Sequence, residues 1–344
     1  MPTAQSYFFN GRQDYMSTAG YGLQCSRLST AQRTNISPPL GAGDGGLTVF
    51  DVDLKSFCVW SGSTWSILPG GGGTSVVAVA NVAALRAMTD VTDGEVINTR
   101  GYYTDNDGGQ GQYYFSASSA LADNGGTVIA PTVGSGRFLL LNTKVYNVRQ
   151  FGAKGDNATD DIAVLDATVL AANSATPSWY LASIYVPNGN YRVSRTWAIT
   201  GVLSVRGEGY GYNGQASRII CTDQTVSCTS IARPGSGDML IERLNFSFVI
   251  TTTYPNSVNA AGLELVGDFC NSVLRDLGFQ SCGTAILHKG TGGTICFSNS
   301  FDNIQIYGFG YSGIRLVGYG TQNTFINVNI RNAPANPVEQ SASR

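Results

Sequence analysis

Five carboxylates in the C-terminal half of the chain are the groups whose chemistry has to be placed first: Glu242, Glu264, Asp268, Asp276 and Asp302. Two carboxyl groups about 5–10 Å apart are what glycoside hydrolysis uses, one to protonate the leaving oxygen and one as base or nucleophile. Asp276 and Asp302 fall near one column of a repeating pattern, so they are expected about one strand spacing apart. They and Glu264 are the catalytic candidates. The competing use is ordinary, since acids on wet sheet faces and in turns are common. Lyase chemistry would add a base with Lys, Arg or bound calcium, and no such set clusters. Tyr307, Phe309, Tyr311 and Tyr319 flank the last repeats. Tyr307, Tyr311 and Tyr319 are the candidates for stacking on sugar rings, against the alternative that such rings fill core or inter-subunit gaps.

Other chemistry finds little support. His288 is the one histidine, which disfavours a zinc site and suits an ordinary surface or coil residue better than a catalytic base. Asp105-Asn106-Asp107-Gly108 has calcium-loop composition. Its twelfth position is Ser116 rather than Glu and its glycine comes early, so a Gly-rich turn is expected. No Walker loop, GxSxG, HExxH or dinucleotide fingerprint occurs, and no metal or cofactor is expected. Cys25, Cys58, Cys221, Cys228, Cys270, Cys282 and Cys296 form no CxxC pair and are read as free, buried, small apolar side chains.

The element that positions the acids is a repeat. A polar, apolar, any, apolar string recurs as Arg243-Leu244-Asn245-Phe246, Asp276-Leu277-Gly278-Phe279, Asn303-Ile304-Gln305-Ile306 and Asn327-Val328-Asn329-Ile330. The intervals are 33, 27 and 24 residues, the longest holding an excursion at 251–259. Unequal coils of this length suit a parallel β-helix, in which stacking supplies the core that one coil cannot bury alone. Leu244, Leu277, Ile304 and Val328 should form one inward column, and Phe246, Phe279, Ile306 and Ile330 the next. Asn303 and Asn327 are placed to form an amide ladder at a turn. Further strands are expected at 183–187, 191–194, 202–206 and 218–221.

Composition agrees with a β-rich chain. Of 344 residues, 42 % are hydrophobic, only 13 % are charged, and 43 are glycine, which fits tight turns rather than a helical bundle. The net charge of −2 and the absence of a basic run give no electrostatic basis for nucleic-acid binding. No apolar stretch reaches membrane-spanning length, and the N-terminus lacks a secretory pattern, so synthesis in the cytoplasm is expected.

Upstream, residues 1–27 are polar and aromatic without a clear period. Residues 28–68 alternate as a small β-meander, with strands around Leu47–Val49 and Phe57–Val59 and a turn before Trp65. Gly70–Ser75 reads as a hinge. Residues 76–143 hold a short helix at 82–88 and strands near 94–97, 112–116, 124–129 and 136–139. Residues 159–173 look helical, with Thr159 as cap, Asp160 and Asp161 in the first turn, and Ile162, Leu165, Val169 and Leu170 on one apolar face. The domains expected are 1–69, a linker at 70–75, 76–143, a β-helix at 144–332 and a polar tail at 333–344.

The stretch from Val145 to Asp161, V-Y-N-V-R-Q-F-G-A-K-G-D-N-A-T-D-D, resembles the opening segment of right-handed parallel β-helices of the pectate-lyase superfamily in bacteriophage tailspikes. Gln150 stands where the family usually has an acid and Asn157 where it usually has Gly. The order A-L-R, G-Y, D-G-G-x-G-x-Y-Y-F, D-N-G-G-T-V-I, G-R-F over 76–143 resembles the small domain that precedes the helix in tailspikes. Residues 28–68, from T-A-x-R to W-x-G-x-x-W, resemble a short module near the N-terminus of tail-fibre and baseplate proteins. The resemblance implies a mainly β subunit of a phage tail spike or tail fibre, located in the virion. It would anchor through its N-terminal modules to tail or baseplate proteins, trimerise with itself, and meet a host-surface glycan. The helix near 159–173 would plug the open end of the coil. An adhesin or connector is favoured over a capsule or lipopolysaccharide depolymerase. The short, Pro-containing ending fits either a short structural spike or the N-terminal part of a longer one.

Overall fold

A computed structural model describes residues 26–37, 39–67, 77–141, 144–174, 182–211, 216–232, 238–250, 255, 257–289, 294–317 and 319–331, and the backbone alone of 6–9, 12–15 and 319–320. The expected hinge at 70–75, the tail at 333–344, the excursion at 251–259 in large part, Cys25 and most of the aromatic N-terminal segment lie outside these residues. The chain divides into two compact units, Met1–Val76 and Val77–Arg344.

In the first unit, Thr48–Asp51, Ser56–Trp60 and Trp65–Ile67 form the antiparallel meander, and Arg27–Leu28 adds a parallel strand at its far edge. The helix Thr30–Thr34 starts in a capping box between Ser29 and Gln32, which satisfies two helix-end donors at once. Asp51, fully buried, accepts hydrogen bonds from Arg33 Nε at 2.7 Å, from the Thr30 hydroxyl and from the Asp53 and Leu54 amides.

The second unit opens with a five-stranded sheet in the order 128–129, 137–140, 111–116, 96–99, 77–79. Its core is Val82, Leu85, Ile97, Tyr113, Phe115, Ile129 and Phe138. The Asp105–Gly108 turn is tied by its own backbone. The Asp107 carboxylate accepts from four backbone amides, Tyr102, Tyr103, Thr104 and Gly109. These bonds outweigh burial and hold its pKa below the usual carboxylate value. Among the described residues no three acids, histidines or cysteines gather as a metal site.

Then comes the parallel β-helix. Seven strands, 145–147, 183–186, 204–207, 240–242, 273–275, 300–302 and 324–326, pair in parallel along one face. A second face runs through 156–160, 189–193, 217–221, 244–248, 277–280, 304–307 and 329–331. A third joins 197–200, 229–232, 261–266 and the ends of the strands Val273–Lys289 and Ser300–Leu316. Phe246, Phe279, Ile306 and Ile330 align in register, and Leu244, Leu277 and Ile304 align beside them. Phe246 and Phe279 stack at 5.4 Å. The row is continuous, but its last member Ile330 is 42 % exposed, because no described coil follows it. Val328 packs, partly buried, against the same core.

The corners have a shared backbone device. Arg243, Asp276, Asn303 and Asn327, the polar residues that open each repeat, have φ of 58, 54, 53 and 53°. A left-handed residue turns the chain from one face to the next, and Asn and Asp tolerate that conformation best. The amide ladder takes a different form from the expected one. Asn303 Nδ2 donates to Asp276 Oδ1 at 2.6 Å instead of bonding Asn327. A true Asn ladder lies at another corner, where Asn299 Nδ2 donates to Asn323 Oδ1 at 3.0 Å and Asn299 Oδ1 accepts from the Ser272 amide.

The plug is the helix Ile162–Ser174, packed on Val145–Asn147, Ser183–Val186 and Trp197–Thr200. It starts later than the residue pattern indicates. Thr159 and Asp160 belong to the strand 156–160, and the Asp161 carboxylate folds back onto the Lys154 and Gly155 amides. Leu170 is 67 % exposed, while Thr168, Ala171 and Ala172 are buried with Ile162, Leu165 and Val169. Leu170 follows Val169 by a single residue, about 100° round the helix, and so leaves the inward stripe.

The family departures have physical accounts. Gln150 Nε2 donates to the Gln110 carbonyl at 2.7 Å, a bond that an ionised acid could not make. Asn157 has a φ of 61°, so it occupies a left-handed position where Gly would be unstrained. Arg149 binds the small sheet domain to the first coil, donating to the Asp107 and Asn188 carbonyls and to the Tyr191 hydroxyl.

Candidate functional site

On the outside of the second face, a cleft of about 570 Å³ is lined by Glu208, Gly209, Tyr210, Gly211, Arg243, Asp276, Gln305 and Tyr307. The cleft exists because the turn after strand 204–207 lies down on the sheet. Gly278 permits this: a Cβ there would meet the Tyr210 carbonyl oxygen and Asn245 Nδ2, each at 2.5 Å. Asn245 Nδ2 then donates to that same carbonyl at 3.0 Å. The Tyr210 ring reaches the third coil beyond its own strand, where its hydroxyl accepts from Asn303 Nδ2 at 2.8 Å. Asn303 thereby links Tyr210 to Asp276.

Glu208 is fixed from its own side of the cleft. It accepts from the Tyr185 hydroxyl and from the Asn188 amide at 2.9 Å. Burial and the bond to Glu208 push the Tyr185 phenol up to about 12, so the proton stays on the tyrosine at neutral pH. Arg243 is exposed at the rim. Among the described residues its guanidinium forms no ion pair.

The candidate residues divide between places. Asp276 and Tyr307 come together in the cleft, and the guanidinium of Arg331 lies 5.9 Å from the Tyr307 ring. Asp302 is on the first face, in register with Arg275. There Arg206, Glu242, Arg275 and Asp302 succeed one another on neighbouring strands as alternating charges. Glu242, its side chain 7 % exposed, is held between Arg206 at 3.3 Å and Arg275 at 2.6 Å. Glu264 belongs to the third face, bonded to the Ser227 hydroxyl and 3.8 Å from Lys289 Nζ. Asp268 Oδ1 accepts from the Ile295 amide. Tyr311, at the corner between the second and third faces, accepts from Arg315 Nη1 at 3.0 Å. The Tyr319 backbone runs in a small sheet beside Ile295–Phe297, and its side chain is outside the described residues.

His288 is fully buried, not at the surface, with ring nitrogens 2.6 and 2.8 Å from the Val317 and Gly267 carbonyls. The six described cysteines are buried thiols outside any disulfide. Glu208 and Tyr210 were not legible as site residues. They sit in a short Gly-rich turn outside the repeat, and no local spacing joins them to residues two coils away.

Residues 78–143 match the family of the phage tail protein small four-stranded β-sheet domain, and residues 145–247 match the rhamnogalacturonase A/epimerase, pectate lyase-like family. Residues 78–143 are thus similar to a phage-tail β domain, and the parallel β-helix that follows is similar over 145–247 to the pectate-lyase-like family. Among solved structures, the fold is similar to tailspike protein gp49 of the Acinetobacter baumannii bacteriophage Fri1, a capsular polysaccharide depolymerase. The two are 16 % identical with a TM-score of 0.50, over 76 % of this chain and 50 % of that one. The enzymatically active domain of bacteriophage CBA120 tailspike protein 2 is 19 % identical with a TM-score of 0.45, over 75 % of this chain and 38 % of that one. A 49-residue stretch is 47 % identical to alginate lyase 7 of Azotobacter vinelandii, covering 14 % of this chain and 5 % of that protein. The chain therefore spans about half the length of the phage Fri1 tailspike. No helix among the described residues is long and apolar enough to cross a membrane.

Proposed function

We propose that this chain is a subunit of a phage tail spike or tail fibre and that the cleft at Tyr307 is where it meets a host-surface glycan. The carrying observation is the polar set in that cleft: an aromatic ring beside Asp276, Glu208, Gln305 and Arg243, whose guanidinium forms no ion pair among the described residues. One ring to stack on a sugar face and several fixed hydrogen-bonding groups to read its hydroxyls are what a glycan subsite needs. The stacked coils give a stiff shaft. The segment 1–69, followed by the linker 70–75, serves as the attachment module to tail or baseplate proteins, and 76–143 orients the β-helix at 144–332. Three copies side by side form the working spike, assembled after synthesis in the host cytoplasm.

Binding of purified host capsule or lipopolysaccharide by titration calorimetry tests the reading. Tyr307→Ala should weaken binding at least tenfold. Unchanged affinity, in a variant with the parent's thermal midpoint, would remove the cleft as the seat.

A second reading has its own observation. Glu208 and Asp276 are two carboxylates lining one cleft, the pair of groups that a glycan hydrolase uses. Release of reducing ends from the bound polysaccharide would establish hydrolysis. Its loss in Asp276→Asn and Glu208→Gln would assign the pair, and its persistence in both would exclude it. The Asp276/Asp302 pair read from the repeat has the weaker basis, because Asp302 sits in the charge row of the first face.

A further inference from the structure

We infer that the attachment module carries a strand-docking edge: Trp65–Ile67 and the tryptophan cleft beside it accept an extended, uncharged peptide segment of a partner polypeptide. The free edge follows from hydrogen-bond phase. Trp60 spends both its backbone groups on the strand side occupied by Gly46 and Leu47, donating to the Leu47 carbonyl at 2.9 Å and accepting from the Gly46 amide at 2.8 Å. Ser61, the next residue, donates the other way, to the Thr64 carbonyl at 2.9 Å. In an antiparallel pair the two kinds of opposed residues alternate. Trp60 faces Trp65, Val59 faces Ser66 and Cys58 faces Ile67. The N–H and C=O of Trp65 and Ile67 therefore point outward. Among the described residues no strand lies beyond them.

The side chains tell the same story. Cys58, fully buried, and Ile67 are partners on one side of the sheet, yet Ile67 is 55 % exposed. Among the described residues nothing pairs beyond this edge, and the apolar face runs on to it. Beside it lies a cleft of about 430 Å³ lined by Arg33, Thr34, Asn35, Ile36, Pro39, Leu40, Trp60 and Trp65. Its indoles are 5.6 Å apart, and the Arg33 guanidinium stacks 5.3 Å from the Trp65 ring. Asp51 cancels the charge of Arg33 at 2.7 Å, so the cleft offers no net charge to a carboxylate or phosphate. Two outward amide–carbonyl pairs about 7 Å apart match the two-residue repeat of a strand, not the spacing of a sugar. An incoming strand would pair with both and lay alternate apolar side chains over Ile67 and into the tryptophan cleft.

The test uses the full chain and a capped five-residue peptide of alternating threonine and isoleucine at millimolar concentration. Hydrogen exchange of the Trp65 and Ile67 amides should slow at least tenfold while Ser66, already paired inward, stays unchanged. Tryptophan emission should shift to the blue. Ile67→Pro, which deletes one outward donor, should weaken peptide binding at least tenfold. A peptide N-methylated at alternate residues should not bind. Absence of protection, or equal binding by Ile67→Pro or by the N-methylated peptide, overturns the inference. Concentration-dependent self-association that Ile67→Lys abolishes, with no response to peptide, would assign the edge to a second copy and overturn the partner reading.

Discussion

Replacing Arg243 by asparagine should make the β-helix more stable and its cleft less able to bind. Four residues take the same left-handed corner, with φ between 53 and 58°. Three of them are Asp276, Asn303 and Asn327, types that tolerate this conformation. Arg243 is the exception, and left-handed φ costs an ordinary side chain about 1–2 kcal/mol. Asparagine recovers part of that, so about 0.5–1 kcal/mol is expected for Arg243→Asn. No ion pair is lost in exchange, since the guanidinium has none among the described residues. For a unit of this size 1 kcal/mol moves the thermal midpoint by roughly 2–4 °C, so the variant should melt about 2 °C higher. A position that trades stability in this way has a use for its side chain, and Arg243 lines the cleft. Circular-dichroism melting of parent and variant, paired with calorimetric titration of host polysaccharide, reads both effects. A lower midpoint would refute the strain argument. A higher midpoint with unchanged affinity would refute the functional one.

Gly278→Ala should lift the Tyr210 turn, because the new Cβ would lie 2.5 Å from a backbone oxygen. Overpacking and the lost Asn245 bond together cost about 2–3 kcal/mol, checked by the melting midpoint, with the Tyr210 displacement read from a crystal structure of the variant. Phe279→Ala should cost about 3–5 kcal/mol, whereas Ile330→Ala, at the exposed end of the same row, should cost under about 1.5 kcal/mol; urea denaturation measures the contrast. Burial pushes the Asp51 carboxyl up, but bonds from the Leu54 amide, Arg33, Thr30 and the Asp53 amide outweigh it and hold the pKa at about 2. The folded value is depressed below the ordinary 3.8, so its stabilisation is full above that pH and is lost as pH falls towards about 2. Tryptophan fluorescence of Trp60 and Trp65 should report an acid transition in that window, and Arg33→Met should move it to higher pH.

The repeat was legible because a β-helix writes its register into the chain. Leu244, Leu277 and Ile304 recur after the same left-handed corner, and each must point inward or the core opens. The corner itself was legible only as a polar residue. That Asp276 and Asn303 are there for their φ needs the backbone. Leu170 was misplaced because periodicity fixes a stripe only when the first helical residue is known, and Asp160–Asp161 look like a helix start while serving a strand and a turn. The cleft stayed hidden for a different reason. Its walls come from the turn at Glu208–Gly211 and from residues one, two and three coils away, a contact written in no local spacing.

The corner also decides how Asp276 has to be tested. Its φ of 54° and its bond from Asn303 at 2.6 Å give the residue a structural reason to be Asp or Asn, before any chemistry is asked of it. Truncation to alanine removes the left-handed tolerance, the Asn303 partner and the charge together, so loss of activity after Asp276→Ala cannot separate them. Asparagine keeps the conformation and an acceptor oxygen for Asn303, and deletes the ionisable group alone. Asp276→Asn should therefore hold the unfolding free energy within about 0.5 kcal/mol of the parent, the range of neutral changes. With the fold held constant, abolished release of reducing ends and retained glycan affinity would define a catalytic carboxylate. Retained release would leave Asp276 as a corner residue and place the acid–base work elsewhere.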